Sequence, residues 1–86
     1  MIENAVYNAI GLVAVQYYQP TPKLVSVART QYYFDCQHGV AIAWVQEKDV
    51  PAMLSYVGGC CGGGRLVMSL ASDAVVRHWQ DGQGGR

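Results

Sequence analysis

The clearest hydrophobic pattern in the chain lies at residues 40–46, where apolar side chains occupy both sets of alternating positions. Val40, Ile42 and Trp44 share one face of an extended chain, because successive side chains of a strand point to opposite faces. The smaller residues between them form a second apolar face, which leaves room for a helix or another subunit. A strand that is apolar on both faces is typical of the middle of a sheet, so the pattern predicts a central strand.

Three other stretches also predict strands. Residues 12–18 are β-branched and aromatic, and residues 65–70 are mainly apolar. Residues 23–34 alternate in part and are interpreted as one strand with a bulge or an exposed break at residues 29–31. Two prolines predict a turn before this strand, because each proline fixes φ and removes a backbone donor. Residues 35–39, which end in glycine, predict a hairpin connection after it.

Two short helices are predicted in the second half of the chain. The first covers residues 50–57, with Asp49 as its capping residue and Gly58 just beyond its end. The second begins at Ser72, whose hydroxyl can cap a helix, and Gly82 is expected to end it. The apolar side chains that these helices are expected to bury are Val50, Met53, Leu54, Val57, Val75, Val76 and Trp79.

These elements predict a small α+β fold. The expected architecture is an antiparallel meander of about four strands, with the two short helices packed on one face of the sheet. Residues 1–10 carry apolar side chains at every fourth position and are compatible with a further short helix. Residues 1–86 are interpreted as a single domain, in which residues 83–86 form a frayed tail.

The composition is unusually apolar for a small soluble domain. Hydrophobic residues make up 51% of the chain and charged residues 14%, with a formal net charge of zero. An average soluble domain carries roughly 25% charged residues. A neutral, sparsely charged surface resists self-association poorly. The composition therefore predicts a homo-oligomer or a subunit of a larger assembly.

The distribution of charges and the number of cysteines indicate which classes of partner and which cellular compartment to expect. The six acidic and six basic residues are scattered, without the basic run that phosphate binding needs, so no nucleic-acid partner is expected. No apolar run reaches the ~20 residues of a membrane span, and the first four residues lack the positive region of a signal peptide. Three cysteines are an odd number, which favours a reducing, cytoplasmic location over a secreted disulfide framework.

A glycine-rich stretch at residues 58–64 surrounds two adjacent cysteines. Its simplest interpretation is the end of a helix followed by a wide turn. An alternative is a zinc site, because Cys36, His38, Cys60 and Cys61 supply the four ligands that a closed site needs. Adjacent cysteines seldom bind one ion, however, and the usual C-x₂-C spacing is absent. A phosphate-binding loop is disfavoured because Gly-Lys-Ser/Thr is missing and no helix follows directly.

Enzymatic chemistry finds little support in the residue pattern. A reactive cysteine needs a neighbouring base or cation, and nothing in the spacing brings His38 or His78 to Cys60 or Cys61. The clustered tyrosines, without nearby positive charge, favour core packing and a protein interface over base stacking. The sequence therefore predicts a small non-enzymatic interaction or assembly module, of a kind that a phage particle or mobile element would use. The alternatives are a zinc-stabilised domain and a thiol redox protein or cysteine-dependent enzyme.

Overall fold

The computed structural model describes residues 4–58 and 65–84, with backbone alone at residues 57–58, 65–66 and 82–84. The strands are β1 (Val13–Tyr17), β2 (Lys23–Val27), β3 (Thr30–Gln37), β4 (Val40–Val45), β5 (Val57–Gly58), β6 (Arg65–Leu66) and β7 (Met68–Leu70). The helices are α1 (Val50–Leu54), which a 3₁₀ turn at Glu47–Asp49 precedes, and α2 (Asp73–Gly84).

Five of these strands form one antiparallel sheet in the order β2-β3-β4-β1-β7, and β5 and β6 form a separate two-stranded ladder. The predicted small α+β fold is confirmed, but the main sheet has five strands instead of four. Strands β2, β3 and β4 form an antiparallel meander, but β2 and β3 both come from the single strand predicted at residues 23–34. Strand β1 is placed differently from the prediction, because it pairs with β4 from Val13↔Val45 to Tyr17↔Ala41 and not with its neighbour in sequence.

The extra strand arises because residues 23–34 are a hairpin and not one strand. Ala28 and Arg29 have φ values of 50° and 70°, the pair of positive φ angles that a two-residue type I′ turn requires. The following connection is shorter than the predicted residues 35–39. There the turn consists of His38 and Gly39, with φ values of 54° and 76°, because residues 35–37 still pair with β4.

The sheet carries a hydrophobic core on each face, and each helix covers a different one. The first core includes Phe34, Ala41, Ala43, Val45, Val50 and Met53, with α1 above it. The second core consists of Ala14, Ile42, Ala71, Val76 and Trp79, with α2 above it. The expectation that both helices lie on one face was wrong. Because β1 and β4 are apolar on both faces, both faces must be covered to remove them from water.

The first helix is shorter than predicted. It ends at Leu54, and residues 57–58 form β5 and pair with residues 65–66, so Gly58 does not terminate a helix. Asp49 makes no side-chain cap to α1. The predicted strand at residues 65–70 is also divided, since Val67 lies between β6 and β7. Of residues 1–10, the described part is not helical, and Tyr7 makes an isolated bridge to Val13.

The second helix begins as predicted but extends further. The Ser72 hydroxyl accepts a hydrogen bond from the Val75 amide at 3.2 Å, which satisfies one of the unpaired donors at a helix start. Val76 and Trp79 are buried, whereas Arg77 and Gln80 are exposed. Gly82 does not stop the helix, which continues to Gly84. Among the described residues, no helix is long and apolar enough to span a bilayer.

Candidate functional site

The predicted zinc ligands divide between described and undescribed parts of the chain. Cys60 and Cys61 lie outside the described residues, so the site formed by Cys36, His38, Cys60 and Cys61 stays a prediction. Cys36 is half-buried and packs against the core under α1. Its thiol donates a hydrogen bond to the Pro20 carbonyl oxygen, with 3.1 Å between the two atoms.

His38 faces a different part of the molecule from Cys36. It lies exposed in the β3–β4 turn, and its ring centre is 5.3 Å from that of His78 on α2. Cys36 thus contacts the α1 side of the sheet, while the His38 ring lies beside the helix on the other side. Across residues 4–58 and 65–84, no group of three or more His, Cys, Asp or Glu side chains is arranged to hold a metal ion.

A buried tyrosine and carboxylate form a polar link that the sequence pattern did not indicate. The Tyr32 hydroxyl donates to the Asp49 carboxylate at 2.6 Å and accepts from the Gln46 amide at 3.3 Å. Burial raises the pKa of Tyr32, and its hydrogen bond to Asp49 raises it further. Both hydrogen-bonding roles of the hydroxyl are therefore used inside the protein. The two hydrogen bonds of the Tyr32 hydroxyl connect β3 to the 3₁₀ turn.

The clustered aromatic residues divide between core and surface. Phe34 is fully buried, and its ring centre is 6.0 Å from that of the half-buried Tyr17. The Lys23 ammonium lies over the Tyr17 ring, 5.6 Å from its centre, a geometry in which cation and ring attract each other. Tyr18 is exposed and packs edge-on against Tyr17 at 5.1 Å. This cluster mainly anchors the start of β2 against the end of β1.

The outer face of the β2–β3 hairpin exposes two large apolar side chains. Leu24 and Tyr33 are opposite each other in the register, and they are 58% and 56% exposed. The exposed strand positions of this hairpin are Leu24, Ser26, Gln31 and Tyr33. The opposite side chains of the hairpin, including Val25 and Val27, are buried in the first core. Alternation of burial therefore fixes which side faces solvent.

Comparison with known proteins identifies no relative. No protein-family model matches the sequence, and no curated protein or solved structure matches the chain.

Proposed function

We propose that this protein is a small non-enzymatic interaction module that self-associates by pairing β2 with β2 of a second copy. The observation that supports the proposal is an edge strand whose one charged residue is Lys23, at its first position, and which exposes a large apolar side chain, Leu24. In the wider form of the proposal, the same strand packs into a larger assembly, in the cytoplasm or in a phage particle.

The position of β2 in the sheet favours strand addition. Within the described chain, β3 pairs with one side of β2 and no strand pairs with its other side. Unpaired backbone groups along such an edge are a template for another strand. Natural proteins protect exposed edges with charges, prolines or bulges in the strand. In β2 the one charged residue is Lys23, at its first position, so the rest of the strand carries no such protection.

A second copy of the chain is the occupant that charge and symmetry favour. The formal net charge is zero, so two copies approach without strong mutual repulsion. In an antiparallel pair that places Val25 opposite Val25 of the second copy, the two strands are related by two-fold symmetry. The buried sides of both strands then lie on one face and the exposed sides on the other. That register places Leu24 opposite Ser26 of the second copy. The small hydroxyl side chain leaves space over which Leu24 can pack.

The oligomeric state tests this proposal directly. Size-exclusion chromatography with light scattering, over a series of protein concentrations, is expected to give a mass twice that of the 9.4 kDa chain. Leu24→Lys and Ser26→Lys each bring positive charges close together across the two-fold pair. Each variant is therefore expected to shift the protein towards monomer at concentrations where the unaltered protein is dimeric.

Ile10→Lys is the matched control, because Ile10 is 78% exposed and lies in the turn before β1. It adds the same charge to the same kind of exposed site and is expected to leave the dimer intact. Tyr33→Lys distinguishes pairing through the edge of β2 from a contact through the outer face of the hairpin, since Tyr33 lies on β3, one strand away from the proposed contact. A protein that remains monomeric at the highest concentration, or that responds to Ile10→Lys as strongly as to Leu24→Lys, would show that β2 is not the contact.

A further inference from the structure

The two hairpin turns of the sheet differ in how well their residues suit the backbone. Ala28 and Arg29 form the β2–β3 turn with φ values of 50° and 70°, and neither residue is a glycine, asparagine or aspartate. The β3–β4 turn also has two successive positive φ angles, at His38 and Gly39. Glycine adopts positive φ freely, and histidine adopts it more readily than most residues do. The β2–β3 turn is therefore the more strained of the two.

This strain disappears if the chain runs straight through the turn. Residues 23–34 alternate in part and carry no local turn signal, so their pattern predicts one strand with a bulge or break instead of a hairpin. Ala28 and Arg29 are both exposed, so an extended conformation removes neither side chain from a core. In that conformation β2 points away from β3 of its own chain and has to pair elsewhere.

We propose that the chain also forms a domain-swapped dimer, in which the β2–β3 turn opens and residues 4–27 exchange between two copies. Each exchanged segment carries β1 and β2. In the dimer, β2 pairs with β3 of the second copy in the register that the single chain shows, from Lys23↔Phe34 to Val27↔Thr30. Strand β1 likewise lies between β4 and β7 of the second copy. Each sheet is therefore complete only with a segment from the partner.

Turn strain and concentration set the balance between the closed and the swapped form. The two forms share the same strand pairs and cores, so the main differences are the strain, which the swap removes from both copies, and the entropy of association. Short hinge loops under strain favour swapping for this reason. Because β1 is paired on both sides, it has to leave the core before it can exchange. Interconversion therefore requires unfolding and is slow.

The swap does not depend on pairing through the edge of β2. It uses the side of β2 that faces β3 and leaves the outer edge as it is in the single chain. Edge pairs form and separate without unfolding, whereas swapped dimers form when the chain folds at high concentration. Protein folded at low concentration therefore reports edge pairing alone, and the two kinds of dimer can be tested separately.

Refolding from urea at low and at high protein concentration tests the proposal. After dilution, size-exclusion chromatography with light scattering is expected to show a persistent dimer only in the sample refolded at high concentration. The double variant Ala28→Asn, Arg29→Gly suits the closed turn and is expected to lower the dimerisation constant by roughly thirtyfold, because two turns open for each dimer. Deletion of residues 28–29 leaves no turn but keeps the strand alternation, and it is expected to give the persistent dimer at both concentrations. Leu24→Lys, which weakens edge pairing, is the control and should leave this dimer unchanged.

A disulfide across the hairpin shows directly whether segments have exchanged. Leu24 and Tyr33 are exposed and opposite each other in the register, close enough for a Leu24→Cys, Tyr33→Cys pair to be linked by oxidised glutathione. The chain's own three cysteines are replaced by serine. On a denaturing gel without reductant, the closed form and the edge-paired dimer give single chains, whereas the swapped dimer gives two linked chains.

Four results would overturn the swap: no dimer that persists after dilution, disulfides only within single chains, no decrease in the Asn-Gly variant, or loss of the persistent dimer in Leu24→Lys. The last result would assign the association to edge pairing. Far-ultraviolet circular dichroism of each variant confirms that it folds.

Discussion

The Tyr32 hydroxyl donates a 2.6 Å hydrogen bond to the Asp49 carboxylate in the interior, where Asp49 is 5% exposed. The bond joins the hairpin strand β3 to the 3₁₀ turn that leads into α1. It also explains why Asp49 does not cap that helix: its carboxylate is directed to the hydroxyl instead of to the first backbone amides. A buried carboxylate is costly without such a donor.

Removal of the Tyr32 hydroxyl is expected to destabilise the protein. Tyr32→Phe leaves the Asp49 carboxylate and the Gln46 amide without this partner, and an unsatisfied buried polar group costs about 1–3 kcal/mol. Urea unfolding followed by circular dichroism measures the free energy of unfolding. Tyr33→Phe is the control, because Tyr33 is exposed, and a change within about 0.5 kcal/mol is expected. Equal effects of the two variants would mean that the buried hydrogen bond contributes nothing.

Alkaline pH is expected to lower the free energy of unfolding, in part because Tyr32 loses its proton. Burial, and then the hydrogen bond to Asp49, raise the pKa of folded Tyr32 above the value near 10.0 expected in the unfolded chain. The folded state therefore holds the phenolic proton to higher pH than the unfolded state. This contribution is fully present below about pH 10 and is lost as the pH rises through the folded pKa. The free energies of unfolding of wild type and Tyr32→Phe should accordingly converge above that pH, and a constant difference would contradict the assignment.

The two hairpin turns offer opposite tests of backbone conformation. Ala28 and Arg29 hold positive φ without a glycine or an asparagine, and positive φ costs an ordinary residue about 1–2 kcal/mol. Replacement of the pair by Asn-Gly is therefore expected to raise the free energy of unfolding by about 1 kcal/mol. Chemical denaturation of the double variant measures the change. A loss of stability would show that the Ala28 and Arg29 side chains make contacts that stabilise the protein by more than the positive φ angles destabilise it.

Gly39 gives the reverse experiment in the other turn. Its φ is +76°, and a Cβ added there would meet no atom within 4 Å. Gly39→Ala is therefore expected to lower stability by about 1 kcal/mol through backbone strain alone. Thermal unfolding measures the shift. Gly39→Asn is the companion variant, because asparagine adopts positive φ more readily, and it should be less destabilising than alanine.

The Ser72 cap should stabilise α2 measurably. Ser72→Ala removes the hydroxyl that accepts from the Val75 amide, and loss of an N-cap costs about 1 kcal/mol. Ser69→Ala, at an exposed position of β7, is the matched control, with an expected change within about 0.5 kcal/mol. Chemical denaturation compares the two. If Ser69→Ala proves the more destabilising variant, the cap is not what stabilises the start of α2.

The sequence by itself determined the features that depend on local chemistry. The two-sided apolar pattern of residues 40–46 predicted a central strand, and the structure confirms this position. The Ser72 cap and the apolar spacing that includes Val76 and Trp79 predicted the start and the buried side of α2. These signals are readable because backbone propensity and side-chain periodicity act over a few neighbouring residues. The α+β class followed from the same signals.

The tertiary structure alone decided the features that depend on distant residues. The turn at Ala28 and Arg29 carries no local glycine or asparagine signal, so the division of residues 23–34 follows from pairing and burial of the hairpin. The position of β1 beside β4 placed an apolar strand in the middle of the sheet, and this required one helix on each face. The meeting of His38 with His78, and of Tyr32 with Asp49, results from that arrangement. Contacts of this range depend on packing the whole chain, which no local pattern encodes.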